Sequence, residues 1–173
     1  MNALAGPWTI VTGLLLLGGA LKAAQPADTA RTLDALGVRV SKPFVRAGGL
    51  VEVGIAAGAL VTGAWPFAAL VAASYLVFLA FVVAALRSET PLSSCGCFGR
   101  ADTPPTLVHV AVNAAAAGVA LVVLLTPLPN LASIVADQPA WGVPFLFLGV
   151  VGVYVVFLML SALPRVFADP GAT

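Results

Sequence analysis

The chain has 173 residues, of which 61% are hydrophobic and only 9% are charged, and its formal net charge is +1. Soluble domains carry about 25% charged residues, and a globule of this size could not bury so much apolar surface. The composition excludes an ordinary soluble enzyme and a disordered chain, and the charge leaves no electrostatic footprint for nucleic acid. The sequence predicts a polytopic membrane protein that sits in a lipid bilayer.

Five stretches are long and apolar enough to cross a bilayer, which takes about 20 residues of helix. In chain order they cover about 7–24, 48–64, 66–86, 106–126 and 141–163. Prolines near several of their ends are typical of helix boundaries. The first stretch has no basic residue before it and a long apolar run, so we expect a retained helix and not a cleaved signal peptide. The predicted fold is all-α, one integral membrane domain over residues 1–173 built as a transmembrane helix bundle.

Five spans place every basic residue on one side of the membrane or just inside it: Lys22, Arg31, Arg39, Lys42, Arg46, Arg87, Arg100 and Arg165. The opposite face carries Asp137 and three tryptophans, Trp8, Trp65 and Trp141, which are expected to form an aromatic belt there. The positive-inside rule predicts that the basic side is cytoplasmic in the plasma (inner) membrane.

Residues 28–40, between the first two spans, alternate polar side chains with Leu33, Leu36 and Val38. This pattern fits a short helix that lies in the membrane interface, and it fits an ordinary polar loop equally well.

The second and fourth spans are rich in Ala and Gly, which favours close packing of helices. Gly54 and Gly58 form a GxxxG pair in the second span. This pair predicts a close helix–helix contact and indicates nothing about function.

The only two cysteines, Cys95 and Cys97, stand two residues apart in the loop between the third and fourth spans. A loop at the membrane surface gives reagents access to the thiolate, and Arg87 and Arg100 would favour that form. A disulfide between residues this close is confined, and strained disulfides are reduced more easily. The pair therefore favours redox cycling over a structural crosslink, while two unreactive residues in a tight turn are the plain alternative.

Metal binding is a second reading of the same cysteines. With His109 they make three donors, one fewer than a closed structural zinc site needs, and thiolates also suit copper(I). Because no fourth donor is evident, we assign no metal site but keep copper or zinc binding or transfer as an alternative function.

Four polar residues lie inside the spans toward the side of the cysteine loop: Lys22, Glu52, His109 and Asn113. Ionisable groups inside a membrane are costly and usually face the bundle interior. Glu52 is expected about one turn into the second span with Lys22 as its partner, and His109 and Asn113 share a helix face. The plain readings are a Lys22 that extends to the interface, a packing histidine, and an asparagine that joins helices.

The run from Cys95 to Gly99 resembles the loop motif of the methylamine utilisation protein MauE family, which is similar to DoxX-like membrane proteins. Lys22, Glu52 and Asn113 match polar positions of that family. The resemblance covers residues 7–126 and implies a four-helix core, to which residues 141–163 add a fifth helix. The family often has a basic residue just before the asparagine, where this chain has Val112, and His109 one turn earlier is the candidate substitute.

The resemblance implies a thiol–disulfide redox protein that works with a thioredoxin-like partner. The family is implicated in maturing the disulfide-rich small subunit of periplasmic methylamine dehydrogenase. By this analogy Cys95 and Cys97 exchange with the partner, supported by Lys22, Glu52, His109 and Asn113, and a quinone is a candidate electron acceptor. A non-catalytic assembly scaffold is the third reading. The family role would put the cysteines on the periplasmic side, whereas the basic residues put them in the cytoplasm.

Overall fold

The computed structural model describes residues 3–88, 104–137 and 142–162, and these ranges are helical with short connections. The helices in chain order are α1 Ala5–Ala24, α2 Pro26–Ala35, α3 Lys42–Thr62, α4 Trp65–Arg87, α5 Leu107–Leu125, α6 Leu131–Ala136 and α7 Gly142–Ser161. Of these, α1, α3, α4, α5 and α7 are long and apolar enough to span a membrane. The predicted all-α bundle with five spans is therefore confirmed. Arg100, Trp141 and Arg165 lie outside the described residues.

The bundle is organised around α1, which packs along α3 and also contacts α5 and α7, while α4 packs along α5. Alanines of α3, α4 and α5 meet larger side chains of α1 in the core, because small residues let membrane helices approach closely. Buried residues make up 44% of the apolar window of α1 but only 11% of that of α7. Helix α7 is thus the least buried of the five spans.

Trp8 was predicted to lie in an aromatic belt, and this prediction is wrong. Its side chain is only 4% exposed and belongs to the core, because α1 is surrounded by other helices. Trp65, at the start of α4, is 65% exposed on the same side of the bundle, as a belt residue would be.

Residues 26–35 form the helix α2, so the alternative of an ordinary polar loop is wrong for this part of the 28–40 segment. Pro26 stands in the first turn, where its missing N–H costs no hydrogen bond. Gly37 follows the helix with a φ of 82°, a left-handed conformation that glycine adopts without strain. The chain therefore reverses after α2 and leads into α3.

Helix α3 begins at Lys42, six residues before the apolar stretch predicted from 48. Ser41 is extended and Pro43 lies in the first turn, which is a favoured start for a helix. Hydropathy marks where lipid contact begins, whereas hydrogen bonding continues into the polar turns before it. Glu52 is therefore ten residues, or about 15 Å, from the start of its helix, although it lies only one turn into the predicted apolar stretch.

Candidate functional site

An ion pair between Lys22 of α1 and Glu52 of α3 lies inside the bundle. The Nζ atom of Lys22 donates to both carboxylate oxygens of Glu52, at 2.6 Å and 2.8 Å. The two side chains are only 8% and 15% exposed. This confirms the predicted partnership, and Lys22 points into the bundle and does not extend to the interface. Each charge offsets the cost of burying the other.

Two aromatic residues of α4 complete the surroundings of the Lys22 ammonium. Its Nζ lies 4.0 Å from the centre of the Phe78 ring, a cation–π contact. Tyr75 meets Phe78 edge to face, with ring centres 5.9 Å apart, and its hydroxyl donates to the Val11 carbonyl at 2.7 Å. The ammonium therefore contacts both a carboxylate and an aromatic face. Sequence reasoning missed both aromatic residues because aromatic side chains are common in membrane spans.

The ion pair depends on a close crossing of α1 and α3 at Gly19 and Gly49. A Cβ atom on Gly19 would lie 2.7 Å from the Gly49 carbonyl oxygen, and one on Gly49 would lie 2.6 Å from the Gly19 oxygen. Lys22 and Glu52 each follow the crossing glycine of their own helix by three residues. Since side chains lean toward the N-terminus of their helix and the two helices run antiparallel, the two side chains lean toward each other.

Only one glycine of the GxxxG pair lies at a close helix contact. A Cβ atom on Gly54 would meet no atom within 4 Å, and Gly58 lies against the ring of Phe67 on α4. The two glycines that touch, Gly19 and Gly49, lie on different helices, so a glycine spacing within one span cannot show that they meet. The recognisable signal was a glycine three residues before each charged partner.

His109 caps the start of α5 and is only 1% exposed. Its Nδ1 atom accepts from the Thr106 N–H at 3.3 Å and lies 3.0 Å from the Thr106 hydroxyl oxygen. The Thr106 hydroxyl in turn accepts from the His109 N–H, which completes a capping box. Asn113 donates through Nδ2 to the His109 carbonyl oxygen at 2.7 Å. His109 thus has a clear structural role that satisfies the backbone at this helix end.

Three of the four predicted polar residues meet at one small cavity. Lys22, Glu52 and Asn113 line it together with Tyr75 and Phe78. Its volume of about 20 Å³ is close to what a single water molecule needs. His109 is not among the described residues that line it and is linked to it only through Asn113. Of the four polar residues predicted to converge, three therefore line the same cavity.

Cys95 and Cys97 lie in residues 89–103, outside the described part of the chain. The neighbouring described residues are the end of α4 and the start of α5, at the end of the bundle where α1 ends and α3 begins. Among the described residues, no three His, Cys, Asp or Glu side chains form a group that could hold a metal ion. The alternative of copper or zinc binding by Cys95, Cys97 and His109 involves both cysteines, so the described residues do not test it.

Comparison with protein families gives one match, to the model described as methylamine utilisation protein MauE, over residues 3–126. The matched region contains α1 to α5 and the Cys-Gly-Cys segment, and it ends before α7. It agrees with the resemblance expected over residues 7–126. No curated protein and no solved structure matches the chain. The match covers more than two thirds of the chain, so this multi-pass membrane protein belongs to the methylamine utilisation protein MauE family.

Proposed function

We propose that this protein exchanges thiols and disulfides with a thioredoxin-like partner at the membrane surface, and so assists disulfide formation in client proteins. Maturation of a methylamine dehydrogenase type of client is the role that the family name favours. The observation that carries the proposal is the family match, because it spans the segment that holds the only two cysteines of the chain.

The exchange needs no atoms beyond the two sulfur pairs. The Cys95 thiolate attacks the partner's disulfide, forms a mixed disulfide and releases one partner thiolate. Cys97 then attacks the Cys95 sulfur, which releases the second partner thiol and leaves a Cys95–Cys97 disulfide. Two electrons and two protons pass from the dithiol to the partner. The reverse sequence starts from a Cys95–Cys97 disulfide, oxidises the partner and leaves both cysteines reduced, and the oxidised partner can then oxidise a client. Each further round needs a two-electron acceptor, for which a quinone is the candidate, to restore the Cys95–Cys97 disulfide.

The buried polar residues act in this proposal as positioning residues. The Lys22–Glu52 pair joins α1 to α3, and the Thr106–His109 box holds the start of α5 just after the cysteine segment. Asn113 links that helix start to the cavity beside the ion pair. A firm attachment of the segment would present both thiols to a partner protein in one orientation.

Trapping tests the exchange directly. In a Cys97→Ser variant the mixed disulfide between Cys95 and the partner cannot be resolved, so we expect it to accumulate as a reducible adduct in non-reducing gels. Cys95→Ser, which lacks the proposed attacking thiol, is the matched control, and mass spectrometry identifies the trapped protein. The proposal is wrong if no adduct forms and Cys95 stays reduced in cells.

The double variant Cys95→Ser, Cys97→Ser separates exchange from a scaffold function. We expect it to lose client maturation in a complementation assay while its amount in the membrane is unchanged. Full maturation by this variant would favour the scaffold.

Thiol labelling of intact cells with a membrane-impermeant reagent tests the side of the cysteine segment. From the basic residues we expect single-cysteine variants that keep Cys95 or Cys97 to be labelled only after the cells are opened. A chain without these cysteines that carries Asp137→Cys on the opposite face should be labelled in intact cells. Labelling of Cys95 in intact cells would show that the cysteine segment lies on the outer side of the membrane.

A further inference from the structure

We propose that the bend between α2 and α3 binds one anionic phospholipid. Its headgroup would lie against Arg31 and Lys42, and one acyl chain would lie in an apolar cleft between α2, α3 and α4. This site is separate from the cysteine segment, and the proposal does not depend on thiol exchange.

The first observation is the cleft itself. It has a volume of about 400 Å³ and is lined by Leu33 of α2, Val40, Phe44 of α3, and Val77 and Phe81 of α4. This volume and this apolar lining are typical of sites for small molecules. Phe44 and Val77 are 71% and 65% exposed, on helices that span the membrane. The cleft therefore opens toward the lipid, and an acyl chain can enter it from the side.

Helices α3 and α4 pack closely near the turn that joins them, where Gly58 lies against the ring of Phe67. Further from this turn, Phe44 of α3 and Phe81 of α4 both line the cleft. A Cβ atom on Gly48, which also lines the cleft, would meet no atom within 4 Å. The space is therefore not filled by the described side chains, and its inner end is the Lys22–Glu52 pair, whose charges already neutralise each other.

The second observation is a polar basin beside the cleft. It has a volume of about 600 Å³, is lined by Arg31, Asp34, Ser41 and Lys42, and shares Val40 with the cleft. Arg31 is paired with Asp28. Asp34 offsets Lys42 within the basin, and the positive excess comes from Arg39 and Arg46 of the same segment. Residues 26–46 carry four basic and two acidic side chains in all, a net charge of +2. Basic clusters next to a membrane helix attract anionic headgroups.

The two spaces together match one amphiphile with a charged head. An uncharged ligand such as a quinone would occupy only the apolar cleft and would make no favourable electrostatic contact with Lys42. An anionic phospholipid would use both spaces, because its headgroup and its chains meet where Val40 separates the basin from the cleft. The net positive charge of residues 26–46 and the opening of the cleft toward the bilayer therefore favour this occupant.

Native mass spectrometry of the full chain, purified and stripped of lipid, tests the headgroup contact. We titrate phosphatidylglycerol against phosphatidylcholine with identical acyl chains, and expect one phosphatidylglycerol to be retained in preference. Lys42→Glu should lower that preference roughly tenfold, since it removes one attraction and adds one repulsion. Arg87→Glu makes the same charge change on the same side of the bundle, outside the basin, and should keep the preference.

Gly48→Leu tests the acyl-chain contact by filling the cleft. We expect this variant to lose the first bound molecule of both lipids. Gly54→Leu is the matched control, because Gly54 lies on the same helix with equally open space and does not line the cleft. It should bind lipid as the unmodified chain does, which also shows that a leucine at an open position of α3 is tolerated.

Each of the following results would overturn the proposal. The first is equal retention of the two lipids by the unmodified chain. The second is a preference that Lys42→Glu leaves intact, or binding that Gly48→Leu leaves intact. The third is that protein purified without added lipid carries an adduct with the mass of a quinone and no adduct with the mass of a phospholipid.

Discussion

Helix α3 meets a neighbour on each of two faces, and the two contacts differ in kind. Toward α1, Gly19 and Gly49 bring the backbones together, and the Lys22–Glu52 pair forms beside the crossing. Toward α4, Gly58 lies against the Phe67 ring near the connecting turn, while a cleft lined by Phe44 and Phe81 lies further along the two helices. The comparison teaches that facing glycines let two membrane helices close around a polar pair, whereas the face toward α4 is closed only in part.

The face of α3 toward α1, here called the closed face, contains buried charges, whereas the face toward α4, here called the open face, does not depend on such a pair. Two opposite charges inside a membrane are tolerated only as a pair, because removing one of them leaves the other buried without a compensating charge. The open face contains no such dependency, so single substitutions there should have smaller effects on stability. The following predictions test this contrast from the largest expected effect to the smallest.

Removing one partner of the ion pair should have the largest effect. Glu52→Leu leaves the Lys22 ammonium buried without its carboxylate, and we expect a loss of about 3–5 kcal/mol in the free energy of unfolding. Unfolding in detergent mixtures, followed by circular dichroism, measures this loss. The double variant Lys22→Met, Glu52→Leu replaces both charges by apolar side chains and should recover most of it. A single variant as stable as the unmodified chain would show that the pair is not buried as described.

A side chain at the glycine crossing should have an intermediate effect. Gly49→Ala places a Cβ atom 2.6 Å from the Gly19 oxygen and 2.8 Å from the Ala23 nitrogen, so α1 and α3 must separate. We expect a loss of about 1–3 kcal/mol, as for other overpacked sites, measured in the same unfolding assay. Gly54→Ala on the same helix meets open space and should be neutral or slightly stabilising. Equal effects of the two substitutions would contradict the crossing.

The cation–π contact should have the smallest effect of the three. Phe78→Leu keeps an apolar side chain but removes the aromatic face 4.0 Å from Lys22 Nζ, and we expect a loss of about 1 kcal/mol beyond that of the control. Phe81→Leu is the matched control, because Phe81 lies one turn further along α4 and lines the cleft. If both variants lose the same stability, the ring contributes only its apolar surface.

The parts of the fold that depend on local sequence could be predicted. A span needs about 20 apolar residues, so hydropathy alone located five helices. The Lys22–Glu52 pair could also be predicted, because few ionisable residues lie inside the spans and their charges must be compensated. The start of α3 could not, since Lys42 and Arg46 lower the hydropathy of turns that are still helical.

The role of His109 shows a different limit. Its position in a span suggested a third metal donor or a support for the cysteines, and the structure places its ring in a capping box with Thr106. The spacing of three residues between Thr106 and His109 was present in the sequence, but a histidine in place of the usual glutamate or glutamine hid it.

The amino-acid sequence by itself determined that this chain has five helices long and apolar enough to cross a membrane, and which two charges must pair. These properties follow from the free energy needed to move charges and unpaired backbone groups into hydrocarbon, which depends on the residue types and not on the details of packing. Only the tertiary structure decided that Gly19 meets Gly49, that Phe78 covers Lys22, and that a cleft opens beside Phe44. Those contacts join residues of different helices, and the fit of their surfaces selects them.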